Sequence, residues 1–325
     1  MAENYKTVVI GRGLIGSAAT RHLACIGEKV AVIGPAEPAD KSLHQGVFGS
    51  HYDSGRITRI LDPHPFYAAI AKKSIRRYRD LERQSGVSFY AEVGHLAVSD
   101  RPDYFCALKK RADENAVCVD ILNAPMLMRR FPFFNFSAFG DGFTAIYQAK
   151  DGGYINPREQ IRAQCAVILK SGGTVIEEEA KALKNKNGKI EVISACGRLV
   201  ADKVLLATGA FANTGKLIFH KIKYSVVQHT VVTGEIAANR VRDFVAVPTL
   251  ICKIGEDARR HFYFMPPVCY PDGKWRVKIG HTDDKTMPVE SQALRAWFQG
   301  VGDPEKITFL NPACAPYCQR FRFAV

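Results

Sequence analysis

The sequence predicts an α/β fold: one domain assembled from separated pieces of the chain, with a β-rich domain inserted twice. Three observations predict it. Residues 1–34 read as a strand, a glycine loop, a helix and a second strand. From residue 88, and again after residue 220, short strand-like runs replace that pattern. Between these stretches, residues 151–218 return to a helix followed by strands, ending in Val204-Leu205-Leu206-Ala207-Thr208-Gly209. The expected boundaries are 1–87 and 151–218 for the first domain and 88–150 and 219–310 for the second, with 311–325 as a divergent tail.

The elements follow from local pattern. Residues 7–10, Thr-Val-Val-Ile, read as a buried strand. Residues 14–26 set Ala18, Ala19, His22, Leu23 and Ile26 near one helix face, and 29–33 form a second buried strand that Gly34-Pro35 ends. A polar loop fills 37–56, and Pro65 opens an amphipathic helix reaching about residue 84. Strands are expected at 88–90 and 95–98, a helix at 107–116 and an aromatic-rich loop at 132–136. A helix opens at Asn156-Pro157 and stops at Gly172-Gly173, before a strand at 174–176. A hairpin around Gly197 joins 189–194 to 199–200, and 204–207 reads as a buried strand. Further strands are expected at 224–235, 260–265 and 275–280, and a helix at 291–299.

Composition narrows the function classes. The chain has 325 residues, 47% hydrophobic and 24% charged, enough for two cores at roughly 100–200 residues per domain. No apolar run approaches the ~20 residues of a membrane helix, so no membrane partner is expected. The short polar N-terminus runs directly into the first strand and leaves no room for a signal peptide, so a cytoplasmic location is expected. The nine cysteines form no CxxC pair and are odd in number, which points to free thiols rather than disulfides or zinc. The formal charge is +13. Its clusters, such as Lys72-Lys73 and Arg76-Arg77, interleave with Tyr67, Ile70, Ile75, Tyr78 and Leu81 as on a solvated helix face, not a nucleic-acid surface. An anionic cofactor and substrate would account for part of the rest.

Gly11-Arg12-Gly13-Leu14-Ile15-Gly16 matches GxGxxG in its diagnostic context, after a buried strand and opening a helix. Gly11 permits the tight turn, Gly13 lets the backbone approach a pyrophosphate, and Gly16 lets the helix pack on the strand. The backbone N–H groups from Gly13 through Leu14 and Ile15 then face phosphate at the positive end of the helix. The acidic residue that usually closes the second strand and bonds the ribose is replaced by Gly34; Glu37 stands three residues on. The loop itself does not separate NAD, NADP and FAD.

Later segments do. Gly49-Ser50-His51-Tyr52-Asp53-Ser54-Gly55-Arg56-Ile57-Thr58-Arg59, Val277-Lys278-Ile279-Gly280-His281, Tyr263 within Phe262-Tyr263-Phe264-Met265-Pro266, and the turn at Thr208-Gly209 occur in order along the chain. Together they resemble the D-amino-acid-oxidase superfamily, and within it the monomeric sarcosine oxidase and N-methylamino-acid oxidase group. The resemblance implies a Rossmann-like, discontinuous FAD-binding domain with an inserted antiparallel sheet-plus-helix substrate domain. The cofactor it implies is FAD, and the reaction is oxidation of the C–N bond of a small N-alkyl amino acid or amine. Hydride passes to the flavin and O2 serves as acceptor, giving H2O2.

Residue roles carry over by the same resemblance. Ser50, His51 and Arg56 would lie beside the flavin, Val175 in the adenine-side strand, and Thr208 and Gly209 in the second cofactor turn. Arg59 would pair with the substrate carboxylate, as a guanidinium fork suits. Arg56 would stabilise negative charge on the reduced flavin, and Lys278 the charge developing on oxygen. Lys278 could equally point outward from a half-buried strand into water. Tyr263 would donate a hydrogen bond to substrate or fill the core.

The pattern also departs from the group. Tyr52 replaces the second histidine of a His-His pair, and Thr282 stands at a family histidine position with His281 beside it. Cys314 falls near the cysteine that carries covalent flavin in some members. The closing glycine-rich segment of the group does not follow, from which low stability and weak turnover are expected. Two other readings therefore stay open, a flavin-binding remnant or interaction protein and an NAD(P)-dependent dehydrogenase.

Overall fold

The computed structural model describes residues 3–136, 141–229, 231–256, 261–281, 285–300 and 323–324. The fold is α/β, built on two large sheets with separate cores. The first sheet has six strands in the order Ala182–Lys186, Lys189–Ile193, Arg198–Leu206, Glu3–Ile10, Val30–Ile33, Thr174–Ile176. Its last four strands are mutually parallel, and the first two join it as an antiparallel hairpin.

Burial on both faces explains the apolar runs. Helices Leu14–Cys25 and Pro157–Lys170 pack on one face, where Ala24 and Ile168 meet Val9, Val30 and Val32. Tyr5, Val8, Ile10, Ala31 and Ile33 fill the opposite face with Val192 and Ala201. Helix Pro157–Lys170 begins where Asn156-Pro157 predicts. The Asn156 side chain accepts from the N–H groups of Arg158 (3.1 Å) and Glu159 (3.3 Å), and proline takes the first helical position. The expectation of a buried strand at 204–207 needs correcting. Leu205 is 42% exposed, because it lies on the helix-bearing face beside Val9 but beyond the cover of the helices.

Among the described residues the second sheet has eight strands, in the order Phe323–Ala324, Val231–Ile236, Trp275–His281, Phe262–Cys269, Thr249–Lys253, His95–Ser99, Thr144–Gln148, Asp120–Asn123. It is antiparallel except where Thr249–Lys253 runs parallel to His95–Ser99. One face carries Leu250, Cys252, Phe262, Phe264, Val277 and Ile279, packed under Phe131, Phe134 and Phe136. The aromatic-rich stretch expected as loop is therefore a lid on this core. Helix Ala124–Arg130 leads into it, capped by the Asn123 side chain on the Met126 N–H (3.0 Å). A three-stranded sheet has the order Arg56–Thr58, Gly153–Ile155, Tyr90–Ala91.

Alternation along the second sheet positions the site. With one set of residues in the core, Val231, Thr233, Ile251, Lys253, Tyr263, Met265 and Lys278 fall on the other face, and all seven line a single cavity.

Gly16 tests the packing of the first helix. A Cβ there would sit 1.8 Å from the Gly11 carbonyl oxygen, whereas one at Gly13 would meet nothing closer than His51 Nδ1 at 3.9 Å. Gly16→Ala is expected to destabilise the fold by about 2 kcal/mol or more, and Gly13→Ala by less than about 1 kcal/mol, in equilibrium denaturation by urea.

Candidate active site

The glycine loop is shaped by contacts that exclude side chains. Gly11 has φ +109°, and a Cβ there would stand 2.2 Å from the Ala207 carbonyl oxygen. The loop and the Thr208-Gly209 turn thus meet at the carboxyl ends of two neighbouring parallel strands. Gly13 caps the helix in extended conformation with no side chain bonding the first N–H groups, and Ile15 is 77% exposed. Gly209, with φ +53°, has open space at its α carbon. A free helix N-terminus beneath two uncovered glycines fits the pyrophosphate of a dinucleotide. Val175 lies mid-strand, paired with Val32, next to this end of the sheet.

The ribose end is built differently from the usual pattern. Gly34 is buried, and a Cβ there would lie 2.5 Å from the Arg12 backbone nitrogen. The Arg12 side chain donates to the carbonyls of Gly34 (3.2 Å) and Pro35 (3.3 Å) and pairs with Glu177 (2.8 Å). Glu37 is held by Arg158 through Nε (2.7 Å) and Nη2 (2.6 Å), while Arg158 Nη1 donates to Ser54 Oγ (2.9 Å). The carboxylate beside Gly34 is therefore that of Glu177, just past the strand whose Ile176 carbonyl accepts the Gly34 N–H.

Residues 48–62 run from this end across the second sheet and close the cavity, which has a volume of about 930 Å³. Ser50, Arg56, Arg59, Tyr263 and Lys278 all line it. Arg56 donates to the Ser50 carbonyl and so braces its own loop. Arg59 pairs with Asp62 at 3.1 Å, while its buried Nε has no hydrogen-bond partner. Tyr263 lies across Gly280, where a Cβ would come within 2.4 Å of its ring. Burial, then the Asp53 charge, pushes the Tyr263 phenol up, so it remains a donor. Aromatic rings close one wall, with Phe48 stacked on Phe298 at 4.2 Å.

Lys278 is the most buried cation of the group, at 4% exposure. The alternation does point it away from the core, but residues 53–55 cover that face, so it is not solvated. Its Nζ donates to Asp53 Oδ2 at 2.6 Å and to the Gly55 carbonyl, and sits 5.7 Å from the centre of the Tyr263 ring. The backbone of His281 ends the same strand, opposite Phe262; its side chain, Thr282 and Cys314 lie outside the described residues. Asp53, Tyr270, Arg12 and Arg158 were not singled out by the sequence. Only the place of Asp53 inside the arginine-bearing segment hinted at it.

His51 stands between the glycine loop and this cavity, edge-on to Tyr52 at 4.5 Å. Burial, then the charges of Arg56, Arg158 and Arg12, push its imidazole down to about 4. The unfolded chain takes up that proton near pH 6.5 and the folded chain does not. Stability is therefore whole above that pH and falls as the pH drops towards 4, by at most about 1.4 kcal/mol per pH unit. In urea unfolding of the chain without cofactor, His51→Gln is expected to reduce the acid-side slope by up to about 1.4 kcal/mol per pH unit, while His95 and His22, whose imidazoles burial also pushes down, keep their own share.

The family model for FAD dependent oxidoreductase matches residues 6–324. Monomeric sarcosine oxidase from Streptomyces avermitilis is 26% identical over 216 residues, 65% of this chain and 53% of the relative. N-methyl-L-tryptophan oxidase from Yersinia pestis is 22% identical over 215 residues, 64% of this chain and 54% of the relative. The chain thus spans about half the length of the curated relatives it matches. Among solved structures, the open form of NikD, an unusual amino acid oxidase essential for nikkomycin biosynthesis, shares the fold. It has a TM-score of 0.75 at 20% identity, covering 99% of this chain and 79% of that one. L-proline dehydrogenase from P. horikoshii also has a TM-score of 0.75, at 17% identity, covering 100% and 80%. With a glycine loop built for a dinucleotide and a family match over nearly its whole length, the chain belongs to the FAD dependent oxidoreductase family, and the nicotinamide reading falls away.

Proposed function

We propose that this protein oxidises the C–N bond of a small amino acid or amine that carries a carboxylate, an N-alkyl amino acid being the first candidate. The observation that carries the reading is the convergence of Arg56, Arg59, Tyr263 and Lys278 on one cavity beside the glycine loop. The two curated relatives, named as oxidases of sarcosine and of an N-methyl amino acid, support the substrate class. Residues 1–87 with 151–218 would form the cofactor domain, and 88–150 with 219–310 the substrate domain.

FAD, held by Gly11, Gly13, Gly16, Thr208 and Gly209, would supply the hydride acceptor and pass the electrons to O2, giving H2O2. The work of the chain is orientation and charge. Arg59 offers a guanidinium fork to the substrate carboxylate, and Asp62 holds that fork until the substrate displaces it. Tyr263 donates a hydrogen bond into the cavity. Arg56 and Lys278 supply positive charge in a site walled by aromatic rings, where low polarity strengthens it. The stacked rings of Phe48 and Phe298 add apolar surface to the same cavity.

The absorption spectrum of the purified protein tests the reading. A flavin spectrum, bleached anaerobically by N-methyl amino acids, is the expected result; a colourless protein that takes up no added FAD overturns it. Arg59→Met is expected to raise KM for a carboxylate substrate about 100-fold, with little change for the matching amine that lacks the carboxylate. Equal losses on both would remove Arg59 from the carboxylate role.

A further inference from the structure

A buried ammonium group needs its three hydrogens placed and its charge answered. Lys278 finds both on one loop. Its Nζ donates to Asp53 Oδ2 at 2.6 Å and to the Gly55 carbonyl, and faces the Tyr263 ring. The other oxygen of Asp53 accepts from the Tyr270 hydroxyl at 3.4 Å, and Arg276 lies 4.9 Å from the centre of the Tyr270 ring. Asp53 is thus held from strand Trp275–His281 through Lys278 and from the end of strand Phe262–Cys269 through Tyr270. Among the described residues, the titratable groups acting on Lys278 are Asp53 and Arg56 from the loop and Tyr263 from the adjoining strand, with Tyr270 acting through Asp53.

We propose that Asp53 is a positioning residue for Lys278: its carboxylate is the built-in counter-ion that keeps this ammonium charged and fixed at the cavity wall. Without Asp53 the lysine would keep the Gly55 carbonyl and the Tyr263 ring, neither of which carries a full negative charge, and it would still face the Arg56 guanidinium. Burial drives the Lys278 pKa down and Arg56 drives it further, while Asp53 is the one group that opposes them both by charge and by hydrogen bond. An uncharged amine could still donate to the Gly55 carbonyl, but nothing on that loop would then hold a cation at the wall. A cation at this wall therefore depends on a residue 225 positions away in sequence.

The role of Lys278 in catalysis rests on the reading above, but its counter-ion can be measured without cofactor. The experiment follows the side-chain nitrogen of Lys278 by NMR in the full chain labelled with 15Nζ-lysine, the signal being the one lost in Lys278→Met. Asp53→Asn is expected to lower the titration midpoint by about 1–3 pH units. Asp53→Glu, which keeps the charge, is expected to restore most of it, and Arg56→Gln to raise it. Should Asp53→Asn not fold, Asp53→Ser removes the same charge with a smaller side chain and carries the test. A midpoint unmoved in the folded neutral variant, or one in Asp53→Glu as low as in the neutral variant, overturns the proposal. In FAD-loaded protein, the same shift should appear as an acid displacement of the pH profile for reoxidation by O2. A protein that takes up no FAD yet shows the NMR shift sinks the oxidase reading and leaves Asp53 its role; the converse sinks this proposal alone.

Discussion

The loop that leaves the first large sheet is anchored on the second by the ion pair between Lys278 and Asp53, at the wall of the cavity. Each sheet has its own apolar core, so neither core dictates how the other is placed. The pair ties the loop that leaves the first sheet to the middle of the second. Removing one partner of a buried pair typically costs about 3–5 kcal/mol, because the other charge is left without an answer. Arg56 opens the short strand Arg56–Thr58 and Arg59 follows its end, and both guanidinium groups reach the cavity wall. A site rich in cations is tolerable here because aspartates stand among them, Asp53 under Lys278 and Asp62 beside Arg59.

At the other end, the cofactor cradle owes its shape to backbone contact rather than to side chains. Gly11 against Ala207 and Gly16 against Gly11 leave no room for a methyl group, so the turn is fixed before any ligand arrives. Gly34 belongs to the same set. Its replacement of the usual acid is not a simple loss, since Arg12 packs over that position and reaches Glu177 on the neighbouring strand end. The negative charge has moved one strand across the sheet.

What could be read from the sequence depended on how local each signal was. The runs at 7–10 and 29–33 are legible because, after Thr7 and Lys29 at their starts, a strand buried on both faces is continuously apolar. Helix Ser291–Gln299 was read to the residue. The hairpin strand Ala182–Lys186 is not legible because it is largely polar and its pairing partner makes it a strand, whereas Thr144–Gln148 and Gly153–Ile155 carry strand-favouring Thr, Ile and Tyr but are too short to stand out. The motif segments drew attention to Arg56, Arg59, Tyr263 and Lys278, and these share one cavity. Asp53 could not be assigned in this way. Its meaning lies in a partner on another sheet, and alternation gives the side on which Lys278 lies but not what covers it.

The single parallel joint in the second sheet has a consequence for how the chain comes to be folded. His95 pairs with Thr249, 154 residues later, and loop closure over that span costs about 4–5 kcal/mol of chain entropy. Strand Thr144–Gln148 covers one edge of His95–Ser99 early in synthesis. The other edge stays open until residue 249 leaves the ribosome, on the order of 10–30 s later at ordinary translation rates. Leu96 and Val98, wholly buried in the finished protein, are carried on that open edge meanwhile. The nascent chain thus carries an unpaired apolar strand edge for that interval, the kind of edge at which chains pair with one another.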